Sequence, residues 1–156
     1  MRRNFLFLGC IVFLGACAGI SSETRRDTAD RLALAGGFTY SEVQTDRFKL
    51  AGYRGNQAPG VVTIYIEGDG YSYVTRNRIS TDPTPINPIG LRLAVTDGEK
   101  NVIYLARPCQ YVDLRKDTTC SKLYWSSHRF AEEAILAYDE ALDGMKRGSG
   151  ATAFHL

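Results

Sequence analysis

The chain has 156 residues, and its 19 Lys and Arg against 17 Asp and Glu give a formal net charge of +2. Two of the arginines lie in an amino-terminal segment that we expect to be removed, which leaves 17 basic and 17 acidic residues. A net charge near zero argues against nucleic-acid binding and gives no support to attraction by anionic lipid. The length suits one modest domain.

The amino terminus has the features of an export signal. Two arginines precede an apolar segment, residues 5–16, which is too short to span a bilayer comfortably. The segment ends in the sequence LGAC, whose last residue is Cys17. This resembles a bacterial lipobox, and the resemblance implies a lipoprotein signal peptide over residues 1–16 with a lipid on Cys17. An ordinary signal peptide with an incidental cysteine is the alternative.

The lipoprotein resemblance implies a location in the bacterial cell envelope, with a membrane anchor and the domain facing the periplasm. Ala18 follows the cysteine, in place of the aspartate that holds such lipoproteins at the inner membrane, so we expect the outer membrane. Residues 17–35 are interpreted as a tether, since residues 18–30 are polar and small. A short helix at residues 31–35 closes this segment before Gly36, and the domain occupies residues 36–156.

Further along the chain, strand patterns alternate with helix patterns. This alternation predicts a mostly parallel α/β sheet, with the first two strands as an antiparallel edge. The predicted strands are 38–43, 47–53, 61–66 and 101–106, with a further strand from residue 151. An irregular loop at 71–87 precedes a helix from Pro88 to Asp97, for which Asn87 is the capping residue. A second helix is capped by Ser126 or Ser127 and stops at Gly148 or Gly150.

Two cysteines remain in the domain, Cys109 and Cys120. Export places them in an oxidising compartment, so we predict a disulfide between them. A zinc site would need more ligands, and neither His128 nor His155 has ligand spacing from a cysteine. We therefore predict no metal site and no cofactor.

The apolar, β-branched run at residues 61–66 ends in the turn Glu67-Gly68-Asp69-Gly70. Such a run suits a strand that is buried on both faces. Glycines after it let backbone N–H groups approach a ligand, and ligand crevices of open α/β sheets lie at the carboxyl ends of the strands. This turn is therefore the candidate site. The alternative is that the glycines only permit a tight turn.

Four segments, in their order and spacing, resemble the amino-terminal half of α/β-hydrolases, and most closely the bacterial envelope lipoproteins of that superfamily. They are IYIEGDG at 64–70, STDPTP at 80–85, LARPCQY at 105–111, and YW with HRF within 124–130. The resemblance covers residues 36–156 and implies a three-layer α/β-hydrolase-like sheet. It places Gly68, Asp69 and Gly70 on the oxyanion loop, where the N–H of Asp69 or Gly70 would stabilise negative charge.

In that superfamily the next strand carries the nucleophile on a Gly-x-Ser-x-Gly turn. Here the strand would be residues 152–156, and the sequence contains no such motif. The resemblance thus implies a fragment that stops before the nucleophile elbow and holds no catalytic residue. Its intact form would hydrolyse a small ester or amide through an acyl-serine intermediate. The alternative is a non-catalytic envelope lipoprotein that binds a ligand or partner.

Other polar residues receive structural roles. Glu67, Asp69 and Asp82 are interpreted as turn formers, against a carboxylate pair or a calcium site. His128 is assigned to the surface or to capping, against a general base, and His155 to packing.

Ser72 and Ser149 lack a paired base in the sequence and are rejected as nucleophiles. The remaining candidates are aromatic residues that line either a cleft or the core: Tyr71, Tyr73, Tyr124 and Trp125.

Overall fold

The computed structural model describes residues 22–56, 58–98 and 101–156. The predictions for the signal peptide and for Cys17 lie outside these residues. Of the helices described, none is both long and apolar enough to cross a membrane. The elements are α1 (Ser22–Ala35), β1 (Thr39–Gln44), β2 (Lys49–Arg54), β3 (Gly60–Ile66), β4 (Tyr73–Thr75), β5 (Arg78–Ile79), α2 (Ile89–Thr96), β6 (Val102–Leu105), a 3₁₀ helix (Lys122–Trp125), α3 (Glu132–Ser149) and β7 (Ala151–His155).

Five strands form one mixed sheet in the order β1-β2-β6-β3-β7, and β4 pairs with β5 in a separate hairpin. The pairs β1–β2 and β2–β6 are antiparallel, whereas β6–β3 and β3–β7 are parallel. The predicted α/β class is confirmed, with a parallel core and an antiparallel edge.

Helices cover both faces of this sheet. Successive side chains of a strand point to opposite faces, and β6 shows the result. Val102 and Tyr104 belong to the core cluster that contains α1 and α2 residues, whereas Ile103 and Leu105 belong to the cluster that contains Met145 of α3. All four strand residues are buried, which explains why this segment is uniformly apolar.

The first helix begins at Ser22, not at Arg31 as predicted, and ends at Ala35 as predicted. From Ser22 onward the segment interpreted as a tether is therefore helical. Ala29 and Ala33 are buried against the sheet. The sequence hid this contact because the buried face of α1 consists of alanines, whose apolar pattern is weak.

The starts of α2 and α3 differ from the predicted caps. Pro88 is the N-cap residue of α2, and the Asn87 side chain instead accepts a hydrogen bond from Arg92. Helix α3 starts only at Glu132, where the N-cap residue makes no side-chain cap. Ser126 is used earlier, because its hydroxyl donates to the Lys122 carbonyl of the 3₁₀ helix.

Helix α3 ends before Gly150, which has a left-handed backbone with φ of 68° and which confirms the predicted stop there. The following strand, β7, is also confirmed. His155 on this strand is exposed, so its assignment to packing was wrong. Among the described strands, β7 pairs with β3 alone, and side chains that point away from the core at such an edge remain in solvent.

Candidate functional site

The turn after β3 lies at one edge of the sheet, between the neighbouring strands. Because β6 and β7 both run parallel to β3, all three strands end at the same edge. The structure places Gly68, Asp69 and Gly70 at this carboxyl edge, where the crevice of an open α/β sheet is expected. All three residues are exposed.

Glu67 holds the start of this turn and is only 6% exposed. Its Oε1 accepts hydrogen bonds from the N–H groups of Gly68 at 3.0 Å and Gly90 at 3.1 Å. Its Oε2 accepts from the Tyr104 hydroxyl at 3.0 Å. The residue therefore joins β3, the start of α2 and β6, which is more than the turn-forming role that the sequence suggested.

Tyr104 is fully buried beneath the turn. Burial raises the pKa of its phenol well above the ordinary value, and the charges that an ionised Tyr111 and Glu67 carry would act in the same direction. The hydroxyl consequently stays protonated at neutral pH and remains a donor to Glu67.

Gln110 is a contact that sequence reasoning missed. Its Nε2 donates to the Gly68 carbonyl at 3.0 Å, and its Oε1 accepts from the Arg107 N–H at 3.1 Å. The side chain is 1% exposed. A polar residue between two hydrophobic neighbours carries no signal of such a role, because the partner lies 42 positions away.

The backbone around Gln110 is unusual. Cys109 and Tyr111 have φ angles of 72° and 60°, in the left-handed region that non-glycine residues seldom adopt. Cys109 forms the predicted disulfide with Cys120, with a Cα–Cα separation of 5.6 Å. This bridge closes the segment that presents Gln110 to the turn.

Asp69 is held from the other side by arginines. Arg107 Nη1 lies 2.6 Å from Asp69 Oδ1, and Arg129 Nε lies 3.7 Å from Oδ2. Asp82 has a different partner, since its Oδ2 lies 3.7 Å from Arg25 Nη2. The three carboxylates are thus engaged separately, and no cluster of three or more metal-ligating side chains occurs among the described residues.

The two glycines of the turn differ in their surroundings. Gly70 has a φ of +62°, and a Cβ there would clash with the Pro83 carbonyl and lie 2.6 Å from Gln110 Nε2. At Gly68 a Cβ would meet no heavy atom within 4 Å. Only Gly70 therefore requires glycine, for both conformation and space.

Two N–H groups of the turn are available as donors. Within the part of the chain that the structure describes, the backbone N–H groups of Asp69 and Gly70 donate no hydrogen bond. The residues on either side are tied down, since Gly68 N–H donates to Glu67 and Tyr71 N–H donates to the Pro83 carbonyl at 2.9 Å. The turn thus presents free donors on a fixed backbone.

A groove of about 440 Å³ adjoins the turn, bounded by residues 85–87 and by α2. Its exposed apolar side chains are Ile66, Ile86, Ile89 and Leu93. Two larger cavities, of about 620 and 590 Å³, lie beside Arg26 and the segment from Tyr111, away from the turn, and both have several charged side chains in their walls. Of these three cavities, the groove is the one that shares walls with the candidate site.

Ser72, which the sequence analysis rejected as a nucleophile, and Ser127, which neighbours His128, both lack a catalytic arrangement among the described residues. The Ser72 hydroxyl is buried and donates to the Asp69 carbonyl. Ser127 Oγ lies 2.9 Å from His128 Nδ1, but both side chains are exposed and adjacent in sequence. The side chain of Ser149 lies outside the described part.

The four aromatic candidates separate into different environments. Trp125 is buried and donates through Nε1 to the Ser80 carbonyl at 3.1 Å. Tyr124 packs edge-on against Phe48 with 4.9 Å between ring centroids. Trp125 belongs to the core and Tyr124 is half-buried against it, whereas Tyr71 lines the groove and Tyr73 is exposed on the hairpin.

In comparisons with known proteins, no family model, no curated protein and no solved structure matches the chain.

Proposed function

We propose that this chain carries the oxyanion loop of an exported, lipid-anchored serine hydrolase with the α/β-hydrolase fold. The intact protein would cleave an ester or amide. The N–H of Asp69 or Gly70 would donate to the oxygen that becomes negative during acyl transfer. The nucleophilic serine would lie on a turn that follows β7, and no cofactor takes part.

One observation carries the proposal: β7 lies beside β3 and runs parallel to it. In α/β-hydrolases, one oxyanion donor comes from the loop after the third strand and the other from the residue after the nucleophile. Those two strands must therefore end side by side. The resemblance assigns β3 and β7 to these two roles, and their pairing meets this requirement.

The rigidity of the turn gives further support. Donors that are already in position need no reorganisation during the reaction, which is what makes oxyanion holes effective. Glu67 and Gln110 fix Gly68 through its N–H and its carbonyl, and Arg107 fixes the Asp69 carboxylate. The free N–H groups of residues 69 and 70 lie between these fixed points.

The anchor is supported only by the sequence of residues 1–18, which fits a lipoprotein of the bacterial envelope, with the outer membrane as its expected location. Metabolic labelling with a palmitate analogue tests it. We expect label on the wild-type chain and none on Cys17→Ala. Equal labelling of both would overturn the anchor.

Labelling with a fluorophosphonate probe tests the hydrolase. Two proteins are compared, the 156-residue chain and the product of the complete reading frame that encodes it. We expect the complete product to react at a serine within a Gly-x-Ser-x-Gly turn directly after β7, and the 156-residue chain not to react. A complete product without such a turn, or one that stays unlabelled, would overturn the proposal. So would labelling of the shorter chain that survives substitution of Ser72 and Ser149.

The groove favours a second candidate, a non-catalytic lipoprotein that binds an apolar ligand or partner. Ile89 and Leu93 are each 53% exposed and lie in the groove wall. A fluorescent fatty acid serves as the probe for this candidate. Saturable binding that Leu93→Asp abolishes, in a protein that does not react with fluorophosphonate, would favour it over the hydrolase.

A further inference from the structure

The β4–β5 hairpin presents an uncovered tip at the carboxyl edge of the sheet. Every residue from Tyr73 to Arg78 is exposed, with Tyr73 at 43% and Val74 at 36%. Arg76 and Arg78 form no ion pair with any described side chain. The segment 71–81 contains no Asp or Glu. The tip is therefore apolar and locally cationic, although the chain as a whole is nearly neutral.

The base of the hairpin is fixed. Ser80 N–H donates to the Ser72 carbonyl at 2.8 Å, and the Ser80 carbonyl accepts from Trp125. Ile79 packs against the core cluster that contains Phe48. The exposed side chains thus project from a rigid support, so their exposure is a property of the fold.

Aromatic and aliphatic side chains beside unpaired arginines suit the boundary between water and a bilayer. A tyrosine ring enters the headgroup region with its hydroxyl hydrated. Arginine extends its apolar stem along the same surface and keeps its charge among the phosphates. Attraction of such a segment depends on its local charge, which explains why the near-zero net charge does not reveal it.

The amino-terminal helix begins beside the segments that flank this hairpin. Arg25, in the first turns of α1, donates to the Thr84 carbonyl at 2.6 Å, and its Cζ lies 5.4 Å from the centroid of the Tyr71 ring. Ser22 lies five positions after Cys17, a length of chain that spans at most about 18 Å. A lipid on Cys17 would therefore hold the carboxyl edge of the sheet close to the membrane.

We propose that the hairpin tip, residues 73–78, contacts the anionic surface of the phospholipid bilayer that holds the anchor. The contact turns the carboxyl edge of the sheet, with the candidate site, towards the membrane. The inference rests on the lipid-anchor part of the proposed function and is independent of the hydrolase part. The unpaired arginines and the short reach from Cys17 favour a bilayer over a protein partner.

Fluorescence from a label at the tip tests this contact. In the acylated mature protein, residues 1–16 with Cys10 have been removed, Cys17 carries lipid, and Cys109 and Cys120 are bonded to each other, so Val74→Cys supplies a single free thiol. The thiol receives a nitrobenzoxadiazole label, and the protein is reconstituted into phosphatidylcholine vesicles with phosphatidylglycerol and a doxyl-labelled lipid. Lys146→Cys is the matched control, since it is exposed near the carboxyl end of α3, just before β7 begins at the opposite edge.

We expect the doxyl lipid to quench the label at position 74 by roughly twofold and to leave the label at position 146 unchanged. Arg76→Glu with Arg78→Glu should abolish the quenching at position 74. Thr75→Cys provides a second exposed labelling position if Val74→Cys folds poorly.

Absence of quenching at position 74 in vesicle-bound protein would overturn the inference and leave the hydrolase and anchor proposals intact. Equal quenching at positions 74 and 146 would also overturn it. A label at position 74 that is shielded from aqueous iodide but unquenched by the doxyl lipid would show that protein covers the tip. A chain whose mass shows no acyl group on Cys17 would overturn both the anchor and this inference.

Discussion

At Glu67, one buried carboxylate connects three elements through uncharged donors, two backbone N–H groups and the Tyr104 hydroxyl. Its contribution therefore depends on hydrogen-bond geometry more than on charge. Because both N–H groups meet Oε1 and the hydroxyl meets Oε2, a glutamine can keep the N–H contacts through its oxygen. Its amide can in turn donate to the Tyr104 oxygen.

Replacement of Glu67 tests this arrangement. Glu67→Ala should lower the free energy of unfolding by about 3 kcal/mol, because it leaves three buried or half-buried donors without their acceptor. Glu67→Gln, the matched control, should lower it by less than about 1 kcal/mol. Urea denaturation measures both. Equal losses in the two variants would show that the negative charge itself is essential.

Tyr104 gives stability a dependence on alkaline pH. Because the folded protein raises the pKa of Tyr104 above its ordinary value of 10.0, the phenol ionises more readily in the unfolded chain. The stabilisation of the folded state by the Tyr104 phenol is fully present below pH 10 and is lost as the pH rises towards the pKa of Tyr104 in the folded protein. Tyr104→Phe should therefore lower stability at pH 8 but make the decline above pH 10 shallower. Urea denaturation at several pH values measures this, and parallel declines in the two proteins would contradict it.

Which parts of the site could be predicted from the sequence depends on how far apart along the chain the contacting residues lie. The turn at Gly68, Asp69 and Gly70 was predictable because an apolar run followed by glycines is a local pattern. Gln110 was not, because its partner is distant in sequence and its own neighbours give no hint. The role of Glu67 was visible only as a charge beside a buried strand, which is too weak a signal to separate a turn former from an organiser.

At the scale of elements, the turn after β3 is shaped by the segments that follow β4–β5 and β6. Pro83 supplies a carbonyl to Tyr71, and Gln110 supplies an amide to Gly68. These contacts leave no room for a side chain at Gly70, whereas Gly68 faces open space. A side chain can therefore be accommodated at Gly68 but not at Gly70, although both lie in the same short turn.

Alanine substitutions should separate them. Gly70→Ala should destabilise the protein by about 2–3 kcal/mol, because it combines a left-handed backbone with a steric clash. Gly68→Ala should change stability by less than about 0.5 kcal/mol. Thermal unfolding measures both variants. A Gly68→Ala loss as large as that of Gly70→Ala would contradict the assigned surroundings.

The disulfide should stabilise the segment after β6. Removal of both sulfurs with Cys109→Ala and Cys120→Ala should lower the free energy of unfolding by about 3 kcal/mol, the value for a closed loop of this size. Reduction of the wild-type protein with dithiothreitol should give a similar loss and should leave the double variant unaffected. An unchanged melting temperature on reduction would contradict a structural role for the bridge.

Helix boundaries were less predictable than strands, for reasons that particular residues show. Ser126 is a good capping residue, but its hydroxyl donates a hydrogen bond to the Lys122 carbonyl of the 3₁₀ helix. Helix α3 therefore starts further along the chain. The part of helix α1 before Arg31 was missed because alanines form its buried face and because Arg25, a charged residue, is also buried by contacts to loop carbonyls.

Strand β6 was predictable because burial on two faces leaves an uninterrupted apolar run. Strand β3 was predictable from its apolar, β-branched composition, but the expectation that it is buried on both faces was wrong, since Val62 and Ile64 are buried whereas Val61 and Ile66 are exposed.

At the scale of the whole molecule, the sheet order places β6 and β3 at the centre and leaves β7 with a single described neighbour. Val61 on β3, which pairs with Ala153 of β7, is 45% exposed. Strand edges without a partner present free N–H and C=O groups. Stability should therefore fall from the centre of the sheet towards β7.

Amide hydrogen exchange in the 156-residue chain tests this gradient. The amides of β7 should exchange on the order of 100-fold faster than those of β6, because edge pairing opens locally while central strands open only with the whole domain. Phe154, which pairs with Val62, is the most informative amide of β7, and Ile103 of β6 is its matched reference. Comparable protection at these two positions would mean that a further surface covers the outer edge of β7. In that case the carboxyl edge beside Gly68 and Gly70 would be enclosed on the β7 side as well.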